Sequence, residues 1–317
     1  MKISYLSHAG IDKLKWDRCI ETAANGLIYA SSYYLDAMSD NWDALILNDY
    51  EVVMPLVWKK KYGFNYLYQP FFIGSLGIFG NVSDKTVNQL LNAIPNQFKY
   101  ADIDFKENII NPEKITLKNA QLKKRNNFLL DLNKKYPEIY KDYKRLTTRM
   151  IKKAAENKVE IIKSCEPFEV IEFYEKNYKN EHKNIKSRDY KRLLAATNIA
   201  FEKGKAATWL AKKNGETIAS YMILKDEKFI YSLIGGSNQQ GKKYGAFYLL
   251  TDAAIKDYAE TKRIFRFEGS DKKGIAFFNS QFHPAPVQDY HLKLNRLPWP
   301  VKLLKEHCWI YLYDNSI

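Results

Sequence analysis

Cysteine is scarce: Cys19, Cys165 and Cys308 are the only three, far apart and in no Cys-x-x-Cys pair. That spacing excludes a disulfide framework or a zinc knuckle and predicts reduced, mostly buried thiols. Histidine is sparse as well. His8, His182, His283, His291 and His307 show no metal-ligand spacing, so no metal is expected, and each reads as a surface or packing residue. A membrane span needs about 18 consecutive apolar residues, and none exists. The most apolar stretch, 69–80, is broken by Pro70, Gly74 and Gly77. The opening Met1-Lys2-Ile3-Ser4-Tyr5 has no apolar signal core, so a cytoplasmic location is expected. There is no Gly-x-Gly-x-x-Gly, Walker loop, His-Glu-x-x-His or Gly-x-Ser-x-Gly. Dinucleotide, P-loop, zincin and nucleophile-elbow chemistry are thereby set aside.

What is abundant is positive charge and aromatic bulk. The 317 residues carry a net charge of +14, and 15% are aromatic. A chain of this length holds one large or two medium domains with sizeable cores. The charge favours anionic partners: phosphates, nucleic acid or a membrane surface.

Two segments look like copies of one another. Trp42-Asp43-Ala44-Leu45-Ile46-Leu47 turns at Asn48-Asp49 into Tyr50-Glu51-Val52-Val53-Met54-Pro55-Leu56-Val57. Thr208-Trp209-Leu210-Ala211-Lys212 turns at Asn214-Gly215 into a run reaching Leu224. Both read as strand, tight turn, strand. The second copy adds a strand from Phe229 to Ile234, a loop over 235–243, a helix over 244–260 and a strand over 263–268. Before it, a helix is expected over 138–157, with Lys141, Lys144, Arg145, Arg149, Lys152 and Lys153 on a basic face. The change from strand-like to charged sequence puts a boundary between Asn126 and Pro137.

The densest stretch is Arg263-Ile264-Phe265-Arg266-Phe267-Glu268-Gly269-Ser270, followed by Gly274-Ile275-Ala276-Phe277-Phe278-Asn279-Ser280-Gln281-Phe282. A short alternating strand ends in an acid and then turns. With the basic helix and the duplicated hairpins, it resembles the FemABX-like branch of the GNAT acyltransferase superfamily. The resemblance implies an α/β (α+β) fold of two tandem GNAT-like domains, each a mixed, mostly antiparallel sheet with flanking helices. They are expected at 1–133, which the tail 298–317 can join, and at 134–297, the donor-binding and catalytic half.

The implied activity is N-acyl transfer from acyl-CoA to an amine or peptide acceptor. An aminoacyl-tRNA donor is the alternative, and a ligand-binding protein of this fold without catalysis is a third reading. Pantetheine would lie along the strand containing Tyr231 and Leu233. The diphosphate would meet the segment with Gly235, Gly236, Lys242, Lys243 and Gly245, whose glycines allow close backbone approach. Glu268 is the candidate general base or amine ligand, and Tyr290 the candidate general acid toward the leaving thiolate. Asn279 stands where the Fem-type Phe-Lys-x-x-Phe carries its lysine. An amide there can donate a hydrogen bond but supplies no positive charge.

Overall fold

The computed structural model describes residues 2–106, 109, 111–269 and 271–302. Ser270 and most of the tail, with His307 and Cys308, lie outside the described residues. The chain divides into two compact units: Met1–Arg125 with the chain from Gln288 onward, and Asn126–Val287. The sequence places these limits at 133/134 and 297/298. They fall earlier because pairing decides them. Leu129, Leu130 and Asp131 pair with the strand of the second unit that carries Arg266. Residues from Tyr290 to Asn295 pair with a strand of the first unit.

In the first unit, β1 (Ile3–Leu6) leads through α1 (Lys13–Thr22) and α2 (Ser32–Met38) to β2 (Trp42–Leu47), β3 (Val52–Lys61) and β4 (Phe64–Tyr68). β5 (Phe79–Gly80) pairs with β3, and α3 (Asp84–Asn92) precedes β6 (Phe98–Phe105). Neighbours β1 to β4 run antiparallel, and β4 and β6 run parallel. β7 (Ala120–Asp131) hands the chain to the second unit.

The second unit repeats this plan. α4 (Tyr136–Asp142) and α5 (Arg145–Glu156) come first, then β8 (Glu160–Lys163). α6 (Pro167–Tyr178) and α7 (Ser187–Glu202) lead to β9 (Ala206–Lys213), β10 (Glu216–Lys225) and β11 (Phe229–Ser237). α8 (Gln239–Tyr244) and α9 (Ala246–Tyr258) follow, then β12 (Ile264–Arg266), α10 (Lys273–Ser280) and β13 (Ala285–Asn295), most of which returns to the first unit. β8 to β11 are antiparallel neighbours, β11 and β12 are parallel, and β12 is antiparallel to β7. The duplicated hairpins thus hold equivalent places: β2–β3 pairs Trp42 with Val57, and β9–β10 pairs Trp209 with Tyr221.

Three expected elements differ in detail. The helix over 138–157 is broken at Tyr143, where the backbone turns extended (ψ 141°). The break lets Lys144 N–H and Thr147 Oγ1 both donate to Gln281 O. The expected loop over 235–243 is strand as far as Ser237 and then α8. The helix over 244–260 starts at Ala246 because Gly245 is left-handed (φ 75°). A Cβ at Gly245 would stand 2.7 Å from Met150 O, so α5 packs against this break only over a glycine.

The second unit's core gathers Trp209, Tyr221, Leu250, Ile255, Phe265, Phe267 and Phe282. Each such side chain contributes roughly 1.5–3 kcal/mol by leaving water. The first unit also buries charge. His291 Nδ1 lies 2.7 Å from Asp104 Oδ1 and Nε2 lies 2.9 Å from Asp102 Oδ1, while Arg125 also pairs with Asp104. Burial alone would lower the imidazole pKa. The two carboxylates overcome that and push it up to about 9. A base with a folded pKa above its ordinary 6.5 stabilises the fold fully below 6.5, and the contribution is lost as pH rises through 9. The melting temperature is therefore expected to fall across that window, and His291→Gln is expected to flatten the fall. Thermal unfolding of both proteins over a pH series checks it.

Candidate active site

The site is built where β11 and β12 part. Their parallel ladder has three registered pairs, Phe229↔Ile264, Ile230↔Phe265 and Tyr231↔Arg266. β12 ends there, but β11 continues to Ser237. On its other edge β11 pairs with β10 through a bulge. Met222 faces Ile234 and Ile223 faces Ser232, so Leu233 is the extra residue. A bulge bends its strand and takes the extra residue out of the ladder. Bulge and parting together give β11 an edge that β12 does not cover.

Glu268 stands just past the end of β12. Gly269 after it is left-handed (φ 77°), which makes the turn that the sequence suggests. Phe267 N–H donates to Phe128 O, Asn126 N–H donates to Asp271 Oδ1, and Asn279 Nδ2 donates to Phe267 O, all at 3.0 Å. Asn279 is thus a buried brace between α10 and the segment carrying Glu268. Glu268 is mostly shielded, its side chain 13% exposed, with Oε1 3.3 Å from Nε of the fully buried Arg266. The Arg266 guanidinium also lies 5.5 Å from the centre of the Phe229 ring. Glu268 is neither solvated nor paired at the surface.

The sequence-predicted donor residues are only partly brought together. Tyr231 is fully buried, and its hydroxyl donates to Asp226 Oδ2 at 2.5 Å. Its backbone sits in the ladders to both Leu224 and Arg266. The room that the glycines provide is taken by the chain itself. A Cβ on Gly235 would meet Phe247 and Tyr221, and one on Gly236 would lie 2.5 Å from the Tyr178 hydroxyl. Three turn amides are engaged by the chain itself: Gly241 N–H donates to Asn238 Oδ1, Lys242 N–H to Asn238 O, and Asn238 N–H to Ile218 O on β10. Those three amides are therefore not available to a diphosphate at that turn. Lys242 and Lys243 are exposed, with Nζ atoms 5.8 Å from the Tyr178 ring centre and 5.6 Å from that of Tyr244. Tyr290 belongs to the first unit, in register with Phe105, whereas Glu268 belongs to the second.

Sequence reasoning missed a group at the end of α6. Tyr174, Tyr178 and His182 stack, with ring centres 4.9 Å apart for the first pair and 6.4 Å for the second. Tyr178 Oη accepts from Ser237 N–H at 2.9 Å and donates to Ser237 O at 2.8 Å. His182 Nδ1 lies 3.5 Å from Lys272 Nζ. Burial lowers the imidazole pKa, and the Lys272 charge adds to that. The spacing of four residues was the signal: it places Tyr174 and Tyr178 on one face of α6, and His182 follows four residues past the helix end.

No family model matches the sequence, and no curated protein matches it. Solved structures match in fold. FemX aligns with TM-score 0.69 at 12% identity, over 96% of this chain and 99% of its own. The C-terminal domain of a candidate lysylphosphatidylglycerol synthetase from Agrobacterium fabrum gives 0.59 at 9% identity, over 94% and 95%. A tandem GNAT protein from the clavulanic acid pathway gives 0.54 at 9%, over 94% and 99%. At such identities the likeness establishes fold alone. The fold class is α/β, with two GNAT-like units in tandem. Within that class the fold is the FemABX-like one.

Arg266 makes this site sensitive to substitution. Arg266→Ala leaves a cavity and a shielded carboxylate without its pairing cation, and is expected to cost roughly 3–5 kcal/mol. Glu268→Gln keeps an acceptor for Arg266 Nε and is expected to cost roughly 1–2 kcal/mol. Urea unfolding of the two variants checks the order.

Proposed function

We propose that the second unit catalyses N-acyl transfer, moving an acyl group from an activated carrier to an amine at the uncovered edge of β11. The observation that carries this reading is the parting of β11 and β12 beyond Tyr231 and Arg266, with Glu268 at its mouth. Backbone groups beside the Leu233 bulge would orient and polarise the acyl carbonyl. Glu268 would hold the acceptor and take one proton from its ammonium, freeing the amine to attack; as the C–N bond forms the acyl–carrier bond breaks, and the amine's second proton passes to the leaving atom of the carrier. The acceptor is a small amine or the amino group of a peptide.

The donor reading follows from charge and from the consumed turn amides. Lys144, Arg145, Arg149, Lys152 and Lys153 are exposed on and beside α5, and Lys242 and Lys243 are exposed on α8. α5 lies against the start of α9 at Gly245. A surface of this kind suits an extended polyanion better than one diphosphate. On that ground aminoacyl-tRNA, the alternative donor of the sequence reading, stands ahead of acyl-CoA.

Transfer assays with aminoacyl-tRNA and with acetyl-CoA, each with a panel of amines, test this. Turnover is expected with the former, and Glu268→Gln is expected to lower it by about 100-fold or more. Full activity of that variant would remove Glu268 from the mechanism. Inactivity of the folded wild-type protein with both donors would favour ligand binding without catalysis. Each of Arg149→Ala and Lys152→Ala is expected to weaken tRNA binding and to reduce the slope of log K against log salt by about 1. Binding measured over a salt series reads that change.

A further inference from the structure

The uncovered edge of β11 does not stay open along its whole length. Ser237 is registered with Ala219 on β10, yet both its N–H and its C=O are engaged by the Tyr178 hydroxyl. In an antiparallel ladder such a residue directs both groups away from its partner strand. They point to the side that β12 would occupy had the ladder continued. The phenol therefore does for Ser237 what an added strand or an amide-bearing ligand would do. Gly236 belongs to the same device. A Cβ there would lie 2.5–2.6 Å from the Tyr178 hydroxyl and ring, so only glycine lets the ring close on the strand. Burial holds the phenol pKa above its ordinary value, and the bond from Ser237 N–H only partly offsets this. The hydroxyl stays protonated and can donate at neutral pH. Tyr178 is anchored as well: Tyr174 stacks on one side, and His182 continues the stack to Lys272, four residues beyond Glu268.

We propose that Tyr178 is a specificity-determining residue: it seals the far end of the β11 edge and so excludes donors with a long, amide-rich arm, leaving only the stretch around Leu233 and Gly235 to a compact acyl ester. The proposal rests on reading that edge as the donor slot, and it deepens that reading by naming the shape of donor admitted. A pantetheine arm carries two amides in extended conformation and would need the groups of Ser237 that the phenol holds. The acyl ester of a nucleotide ribose has no such arm and meets no obstruction at Ser237.

The test uses pantetheine as a probe of the edge, measured by calorimetry on the full chain. Wild-type protein is expected to bind no pantetheine up to about 1 mM, and Tyr178→Ala to bind it at least about tenfold more tightly. Wild-type binding as tight as the variant's would overturn the proposal, and so would a folded Tyr178→Ala that gains nothing. Tyr178→Phe keeps the ring and covers the case in which the alanine variant does not fold. Amide exchange at Ser237 is expected to accelerate about tenfold in Tyr178→Phe, with pantetheine still excluded. An unchanged exchange rate would show that the hydroxyl does not cover the strand, against the proposal. Neither readout depends on turnover. Failure here with Glu268→Gln still inactive would remove the role of Tyr178 alone, whereas full activity of Glu268→Gln would strike the catalytic reading itself.

Discussion

Much in the second unit depends on where one ladder of hydrogen bonds stops. β11 and β12 run parallel for three pairs and part after Tyr231 and Arg266. Everything proposed for the site lies beyond that point: the edge of β11, the bulge at Leu233, the turn at Gly269 and the carboxylate of Glu268. A strand edge inside a folded protein is costly unless its polar groups find partners. Here the cost is met in part by the Tyr178 hydroxyl. The parting itself is held open by packing. Phe267 and Phe282 fill the core behind it, and Asn279 ties α10 to the carbonyl of Phe267.

Charge is handled differently in different places. Lysine and arginine on α5 and α8 stay in water, where they can attract a polyanion without being desolvated. Arg266 and His291 are buried beside carboxylates, Glu268 for the one and Asp102 with Asp104 for the other. Removing one partner of a shielded pair leaves the other unbalanced, which costs more than the pair itself contributes. The net charge of +14 is therefore not one property. The exposed share concerns binding, and the buried share concerns how rigidly Glu268 and β6 are held.

The repeat was legible because hairpins leave a local record. Alternating apolar residues around Asn48-Asp49 and Asn214-Gly215 specify strand, turn, strand with no reference to the rest of the chain. The acid at the end of β12 and the turn at Gly269 were legible for the same reason. What the glycines do was not. Gly236 and Gly245 looked like openings for a ligand, but Tyr178 and Met150, distant in sequence, fill those places. The break at Tyr143 was equally hidden, since the apolar stripe runs on through it and only the remote Gln281 carbonyl explains it. His182 and His291 read as ordinary histidines because their partners, Lys272 and the two aspartates of β6, are brought to them only by folding.

The central claim is that the edge of β11 past the ladder's end is where the acyl donor lies. Amide hydrogen exchange of the full chain, with and without a non-hydrolysable aminoacyl-tRNA analogue, tests it most directly. The account predicts slowed exchange at Leu233 to Gly236 and on the segment carrying Glu268 when the analogue binds. Binding that protects α5 and α8 while leaving β11 and Glu268 unchanged would contradict it.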